Sequence, residues 1–427
     1  MDGGVTQPSP QTTEESRSSS YWTAGLGGIS AAFLFAGYEL VRSPSNTLFK
    51  AAYGKEGLPY VMAATPVAVL LMLYVYGRLL TRLGPRRTLV TTTLASCALI
   101  AGSYGAIALK WKFASVILYI TREAYIVLLM EQYWSFLNST LGDANARRLN
   151  GPVCGIGSAG SIVGTMLVGS LAQPLGTAAL VLLGAVITLP TALFGYLAYR
   201  HAGEPQPAPQ EPRSDSLGAR LFTREPVLVI LLIVILLTQA ISGLTDLSFQ
   251  GMLQDRMPNA DAQTAFSGWF FMWLSIFAAA MQFAVTPLLL WLVPLRWVHR
   301  VIPLVHVGTC LYLWRSPTLF SAGMAYMVFK VIDYSTFRAA KELLYIPLSF
   351  DSRYRAKEFI DVFGYRFGKG GISLVVILLQ RSRIFVAEPS LGLISAGAAA
   401  IWAICAIPLV RRRSSTPAAP GLSKTAD

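Results

Sequence analysis

The sequence predicts an all-α polytopic membrane protein, with twelve transmembrane helices in two pseudo-symmetric six-helix halves. Of its 427 residues, 54% are hydrophobic and only 13% charged, whereas a soluble domain carries about 25% charged residues. Long apolar runs recur from end to end, as in "VMAATPVAVLLMLYVYG" from Val61 and "PVLVILLIVILLTQAISGL" from Pro226. At a rise of about 1.5 Å per residue, a run near twenty residues crosses a hydrocarbon core of roughly 30 Å. The longest polar, Pro-rich stretch after the N-terminus, "RHAGEPQPAPQEPRSDSLGARLFTRE", falls midway and reads as a linker.

In chain order, residues 1–20 are polar and include Glu14 and Glu15. They lack the basic n-region and short apolar h-region of a signal peptide, so a disordered tail is expected. The first half covers 21–200, with spans at 21–41, 59–80, 88–109, 113–139, 151–172 and 177–199. The linker takes 201–225. The second half, 226–410, has spans at 226–250, 266–291, 295–313, 317–347, 357–380 and 389–410, and a tail follows over 411–427.

Basic residues of short loops set the orientation. One set of loops holds Arg82, Arg86, Arg87, Arg147, Arg148, Arg213, Arg220, Arg224, Arg296, Arg300, Arg353 and Arg355, with Arg411, Arg412 and Arg413 on the same side. The alternate loops hold fewer: Lys50, Lys55, Lys112, Arg256, Arg315, Arg381 and Arg383. Both termini and the linker are therefore expected on the cytoplasmic face of the cell inner (cytoplasmic) membrane. The expected surrounding is the lipid bilayer, and the expected state a monomer.

Several function classes are excluded at this level. Cys97, Cys154, Cys310 and Cys405 all lie in apolar segments with no CxxC spacing, and His201, His299 and His306 are scattered, so no metal site or disulfide framework is expected. No P-loop, Ser–His or HExxH arrangement is visible. The chain is expected to be no enzyme and to need no cofactor. The pI near 9.7 follows from the loop bias; nucleic-acid binding would need a basic soluble domain, and none is present.

The loop after the second span, "GRLLTRLGPRR" at 77–87, resembles the Gly-x-x-x-Asp-Arg-x-Gly-Arg-Arg signature of the major facilitator superfamily. Gly77, Arg82, Gly84, Arg86 and Arg87 fit; Thr81 replaces the Asp and Pro85 is extra. A shift of 211 residues superposes "GSAG" at Gly157–Gly160 on "GKGG" at Gly368–Gly371, and Glu131 on Glu342. Two related halves around a central site are the plan of such carriers.

Ionisable groups inside apolar spans are costly and mark cavities or partners. They concentrate in spans 1, 4, 7, 10 and 11: Glu39 and Arg42; Arg122, Glu123 and Glu131; Asp246; Lys330, Asp333, Arg338, Lys341 and Glu342; and Asp361, Arg366 and Lys369. Lys330, Asp333, Phe337 and Lys341 share one helical face, as do Asp361, Tyr365 and Lys369. Gly364, Gly368 and Gly371 form a second stripe, and Gly157, Gly160 and Gly164 a similar one, where small residues admit a close neighbour. Each charge either locks helices as an internal ion pair or serves a substrate. Lys357 and Glu358, near a span end, read as snorkelling. Basic residues dominate the group, which suits an anionic or phosphorylated substrate.

The stretch "DYSTFRAAKELLYIPLSFDSRYRAKEFIDVFGYRFGKGG", from Asp333 to Gly371, resembles the C-terminal motif region of the ATP/ADP translocase family, the nucleotide transporters of plastids and intracellular bacteria. "REAYIVLLMEQYWSFLNST" and "ANARRLNGPVCGIGSAGSIVG" agree more loosely with that family's spans 4 and 5. The resemblance implies a twelve-helix carrier of major-facilitator type that exchanges or takes up nucleotides without hydrolysing them. By position Glu123 and Asp246 resemble its acidic residues, and Lys357 or Lys369 its late basic one. Two departures stand out: Ser45 occupies the place of a Lys three residues after Arg42, and Arg338 follows Phe337 where Asp is usual.

The resulting expectation is a secondary active transporter of nucleotides or related phosphorylated anions, working by alternating access, with exchange as one mode. Arg42, Lys341, Arg366 and Lys369 would hold phosphates, and Tyr133 or Tyr365 would stack on a base. Glu39, Glu123, Glu131, Asp246, Asp333 and Asp361 would gate the path or carry a proton. The alternative is a proton-coupled carrier of a non-nucleotide organic anion, such as a siderophore or peptide-like metabolite. A non-transporting scaffold or sensor is the remote third.

Overall fold

The structure is a computed structural model that describes residues 10–141, 143–204, 222, 225–346, 348, 357, 360, 364–382 and 388–411. The expected linker and C-terminal tail lie almost wholly outside these residues. Thirteen α-helices are described: α1 (Pro10–Tyr53), α2 (Leu58–Ala108), α3 (Phe113–Thr140), α4 (Asp143–Leu175), α5 (Thr177–Ala202), α6 (Pro226–Arg256), α7 (Ala260–Ala280), α8 (Thr286–Leu292), α9 (Leu295–Arg315), α10 (Leu319–Ile332), α11 (Arg338–Tyr345), α12 (Tyr365–Arg381) and α13 (Glu388–Arg411). Eight helical segments among the described residues are long and apolar enough to cross a membrane, by length and composition.

Two expectations about boundaries need correction. The first helix starts at Pro10, so 10–20 continues it instead of forming a tail; a proline at a helix start lacks an N–H that would be unsatisfied there anyway. It also runs past 41 to Tyr53, which takes Lys50 out of the loop and into the helix. The second and third expected spans are instead kept as two helical stretches of α2, separated by a break at Gly84 in the expected loop. There φ is 76° and ψ 168°, and Pro85 follows. Only glycine adopts this backbone cheaply.

Two helices carry a π turn. Met281–Val285 joins α7 to α8, and Asp333–Phe337 joins α10 to α11. The second sits inside the expected span 317–347 and shifts its register, so Asp333, Phe337 and Lys341 are buried while Lys330 is half-buried and Arg338 exposed. Elsewhere threonine and serine hydroxyls turn back onto their own helix, as with Thr92 to Thr88 O at 2.8 Å and Ser248 to Leu244 O at 3.0 Å. This satisfies a polar group where water is absent.

The chain divides into two compact units. The first comprises Met1–Arg213 with Gln254–Ala279, the second Ser214–Leu253 with Ala280–Asp427. In the first, α1 packs chiefly on α4 and α5, and α2 on α3 and α5. The α1–α4 seam is set by glycine: a Cβ on Gly160 would lie 2.2 Å from Ala32 O, and one on Gly164 2.6 Å from Ala36 O. Segment 254–279 is tied in by hydroxyl and carboxylate bonds. Thr264 donates to Thr47 Oγ1 at 2.9 Å, Asp261 accepts from Thr177 N at 2.6 Å, and Lys55 pairs with Asp255 at 2.5 Å. In the second unit α9 packs on α13, around Phe329, Phe337 and Trp402. There α12 meets α6 at Gly364 and Gly368, whose added Cβ atoms would lie 2.8 Å from Ile235 Cγ2 and 2.7 Å from Gln239 Cβ. Gly371 has nothing within 4 Å of such an atom, so it falls off the stripe.

Candidate functional site

In the first unit the site grows from one face of α1. Arg42 pairs with Glu39 at 2.8 Å, one turn back on the same helix. Glu39 also accepts a hydrogen bond from Ser161 Oγ of α4 at 3.1 Å. Arg122 comes in from α3: its Nη1 donates to Asn46 Oδ1 and to the Arg42 carbonyl, both at 3.1 Å, while its Nη2 pairs with Glu123. Aromatic rings line the cations. Arg42 lies 3.7 Å from the centroid of Phe271 and 5.7 Å from that of Tyr38, and Arg122 lies 4.3 Å from that of Tyr119. Glu39 and Arg122 are almost fully buried, at 4% and 2% exposure. Each lies beside an opposite charge and further hydrogen-bond partners, which offset part of the cost of burying it.

Residues 42, 46 and 50 step by four along α1, so Lys50 continues the same face, and it is 2% exposed. Sequence reasoning missed it by ending the span at 41. The spacing of four was the available signal.

In the second unit, Lys369 on α12 pairs with Asp246 on α6 at 2.9 Å. The two are 123 positions apart in the chain. Near the end of α11, Lys357 pairs with Glu342 at 2.6 Å, and Lys341 approaches the same carboxylate at 3.8 Å. Lys341 is buried and faces the rings of Tyr365 at 5.1 Å and Tyr345 at 6.0 Å. Lys357 and Glu342 keep side chains 34% and 41% exposed while paired, which is compatible with the expected snorkelling. Asp333 is 4% exposed, and its Oδ1 has no hydrogen-bond partner among the described residues.

The structure does not gather every candidate. Tyr133 lies in the first unit's apolar core beside Leu129, Phe136 and Trp134, and its hydroxyl has no hydrogen-bond partner among the described residues. Glu131 is exposed on α3. Asp361 and Glu358 lie outside the described residues, and Arg366 is described only as part of the α12 backbone.

Both units therefore hold cations that are countered by carboxylates of the chain itself. Such pairs can exchange partners with a phosphate or carboxylate of a ligand, because the oxygen donor sets are alike. The two units also share a motif: an acid on the first helix of a glycine seam bonded to the second, Glu39 to Ser161 and Asp246 to Lys369.

The comparisons with known proteins agree with this picture. In fold, the chain resembles nucleoside transporter NupG (TM-score 0.65, 14% identity, 91% of this chain and 98% of that one). It also resembles an auto-inhibited POT family peptide transporter (0.66, 11%, 93% and 98%) and a D-xylose–proton symporter (0.64, 12%, 91% and 98%). These are major-facilitator-type transporters, and at such identities the likeness is one of fold. In sequence, "ADP,ATP carrier protein 1" of Chlamydia muridarum is 24% identical over 172 residues, 36% of this chain and 32% of that relative. The protein of the same name from Rickettsia bellii is 37% identical over 67 residues, 16% of this chain and 12% of the relative. The chain thus matches about a third or less of these relatives' length. Residues 317–412, under a quarter of the chain, match the model of the TLC ATP/ADP transporter family.

Proposed function

We propose that the chain is a secondary transporter that moves nucleotides or related phosphorylated anions by alternating access, as an exchanger. The observation that carries this is Lys369, inside the segment that matches the family model, paired with Asp246 of α6. Arg42, Lys341 and Lys369 are its phosphate-holding cations, with Arg366 as a fourth. Glu39, Glu123, Asp246, Asp333 and Asp361 neutralise them when no substrate is bound, or carry a coupling proton. Twelve spans in two related halves, with both termini cytoplasmic in the inner membrane, are the architecture of this reading. The glycine seam with its acid, present in each unit, supports the repeat.

A second reading keeps the carrier and changes the cargo to a non-nucleotide organic anion. Ser45 favours it: the residue is fully buried and its hydroxyl donates to Arg42 O at 2.9 Å, so that position offers no cation. A thermal-stability screen of the purified chain against ATP, ADP, GTP, inorganic phosphate and a panel of organic anions separates the two. The nucleotide reading expects the largest midpoint rise with nucleotides. Stabilisation by an organic anion without any by nucleotides would reject it.

A further inference from the structure

Phe271, on α7, is 2% exposed. The guanidinium carbon of Arg42 lies 3.7 Å from its ring centroid, and the next closest cation–ring approach among the described residues is 4.3 Å. A group that near the centroid must sit over the ring face, because an in-plane approach would collide with the ring's own edge. The separation is that of two carbon surfaces in contact, about 3.5–4.0 Å. The guanidinium is flat and stacks on aromatic faces, so it occupies the position that a flat heterocycle would take on the same ring.

Arg42 has reason to leave that position when a ligand arrives. It is held on one side by Glu39 at 2.8 Å, and a phosphate offers the same bidentate oxygen pair with more charge. The aromatic residues first expected to stack are less well placed. Tyr133 belongs to the apolar core, and Tyr365 faces Lys341 at 5.1 Å. We propose that Phe271 is the platform for the nucleobase: the base stacks on the ring face that Arg42 covers in the empty chain, while Arg42 turns to the phosphates. This rests on the nucleotide reading above.

The test is equilibrium binding to the purified full-length chain, with ATP and with inorganic tripolyphosphate, which has the charge but no base. F271L keeps the apolar bulk and removes the π face; F271M serves in its place if F271L is not monodisperse. Loss of a stacked base is expected to weaken ATP by about tenfold or more. Tripolyphosphate is expected to stay within about twofold, since its phosphate contacts are retained. F271W restores ATP binding, and R42Q weakens both ligands. Equal weakening of ATP and tripolyphosphate in F271L would overturn the proposal, since the ring would then only position Arg42. Unchanged ATP binding in F271L would overturn it too, while leaving the nucleotide reading in place. Failure of the wild-type chain to bind ATP would instead remove the nucleotide reading, and the platform with it.

Discussion

At the scale of single residues, the charges inside these helices separate into two kinds. Arg122 spans from α3 to α1 and bonds Asn46, the Arg42 carbonyl and Glu123 while 2% exposed. Removing it takes a buried charged donor away from Asn46 and the Arg42 carbonyl. R122A is expected to cost about 3 kcal/mol or more, measured as a lowered unfolding midpoint; an unchanged midpoint would show the bonds to be incidental. Lys369 and Asp246 form the other kind, with side chains 28% and 13% exposed and one bond between them. Here D246N is expected to fold normally and to bind anions several-fold more tightly, because the negative charge beside Lys369 is removed. Titration of ATP against the purified variant checks this, and weaker binding would mean that Asp246 contacts the substrate or orients the lysine. Most of these charges were visible in the sequence as costly residues in apolar runs. Their partners were not, since Asp246 and Lys369 stand 123 residues apart and only the packing of α6 on α12 brings them together.

At the scale of elements, glycine decides how closely helices meet. G160A would drive a methyl to 2.2 Å from Ala32 O, whereas G371A meets nothing within 4 Å. The first is expected to destabilise by about 1–3 kcal/mol through overpacking, and the second to be silent, in paired thermal unfolding measurements. Equal effects would contradict the seam. The stripe at Gly157, Gly160 and Gly164 was readable from its spacing, and so were α3 and α5, whose apolar runs end at clear polar or glycine signals. The π turn at Asp333–Phe337 was not readable, because one extra residue per turn leaves no mark on composition while rotating everything that follows. That is why Lys330 and Lys341, expected on one face, differ in burial. The extension of α1 to Tyr53 was missed for a related reason. Polar residues such as Ser45, Asn46 and Thr47 look like a loop until they are found bonded inside the bundle.

At the scale of the whole molecule, each unit keeps buried cations matched by its own carboxylates. Under the proposed function, an anionic substrate would take the place of one of these carboxylates beside its cation. Its fold is shared with carriers of quite different cargo, so fold alone does not name the substrate. The proposal of a nucleotide cargo rests on the match of residues 317–412 and the charges they hold. The most direct test is counterflow in proteoliposomes preloaded with unlabelled ADP, following labelled ATP added outside, with K369A as the comparison. The expected result is ATP uptake that depends on internal ADP, releases no inorganic phosphate and is largely lost in K369A. Folded wild-type protein that moves no nucleotide, or uptake that needs neither internal ADP nor Lys369, would contradict the account.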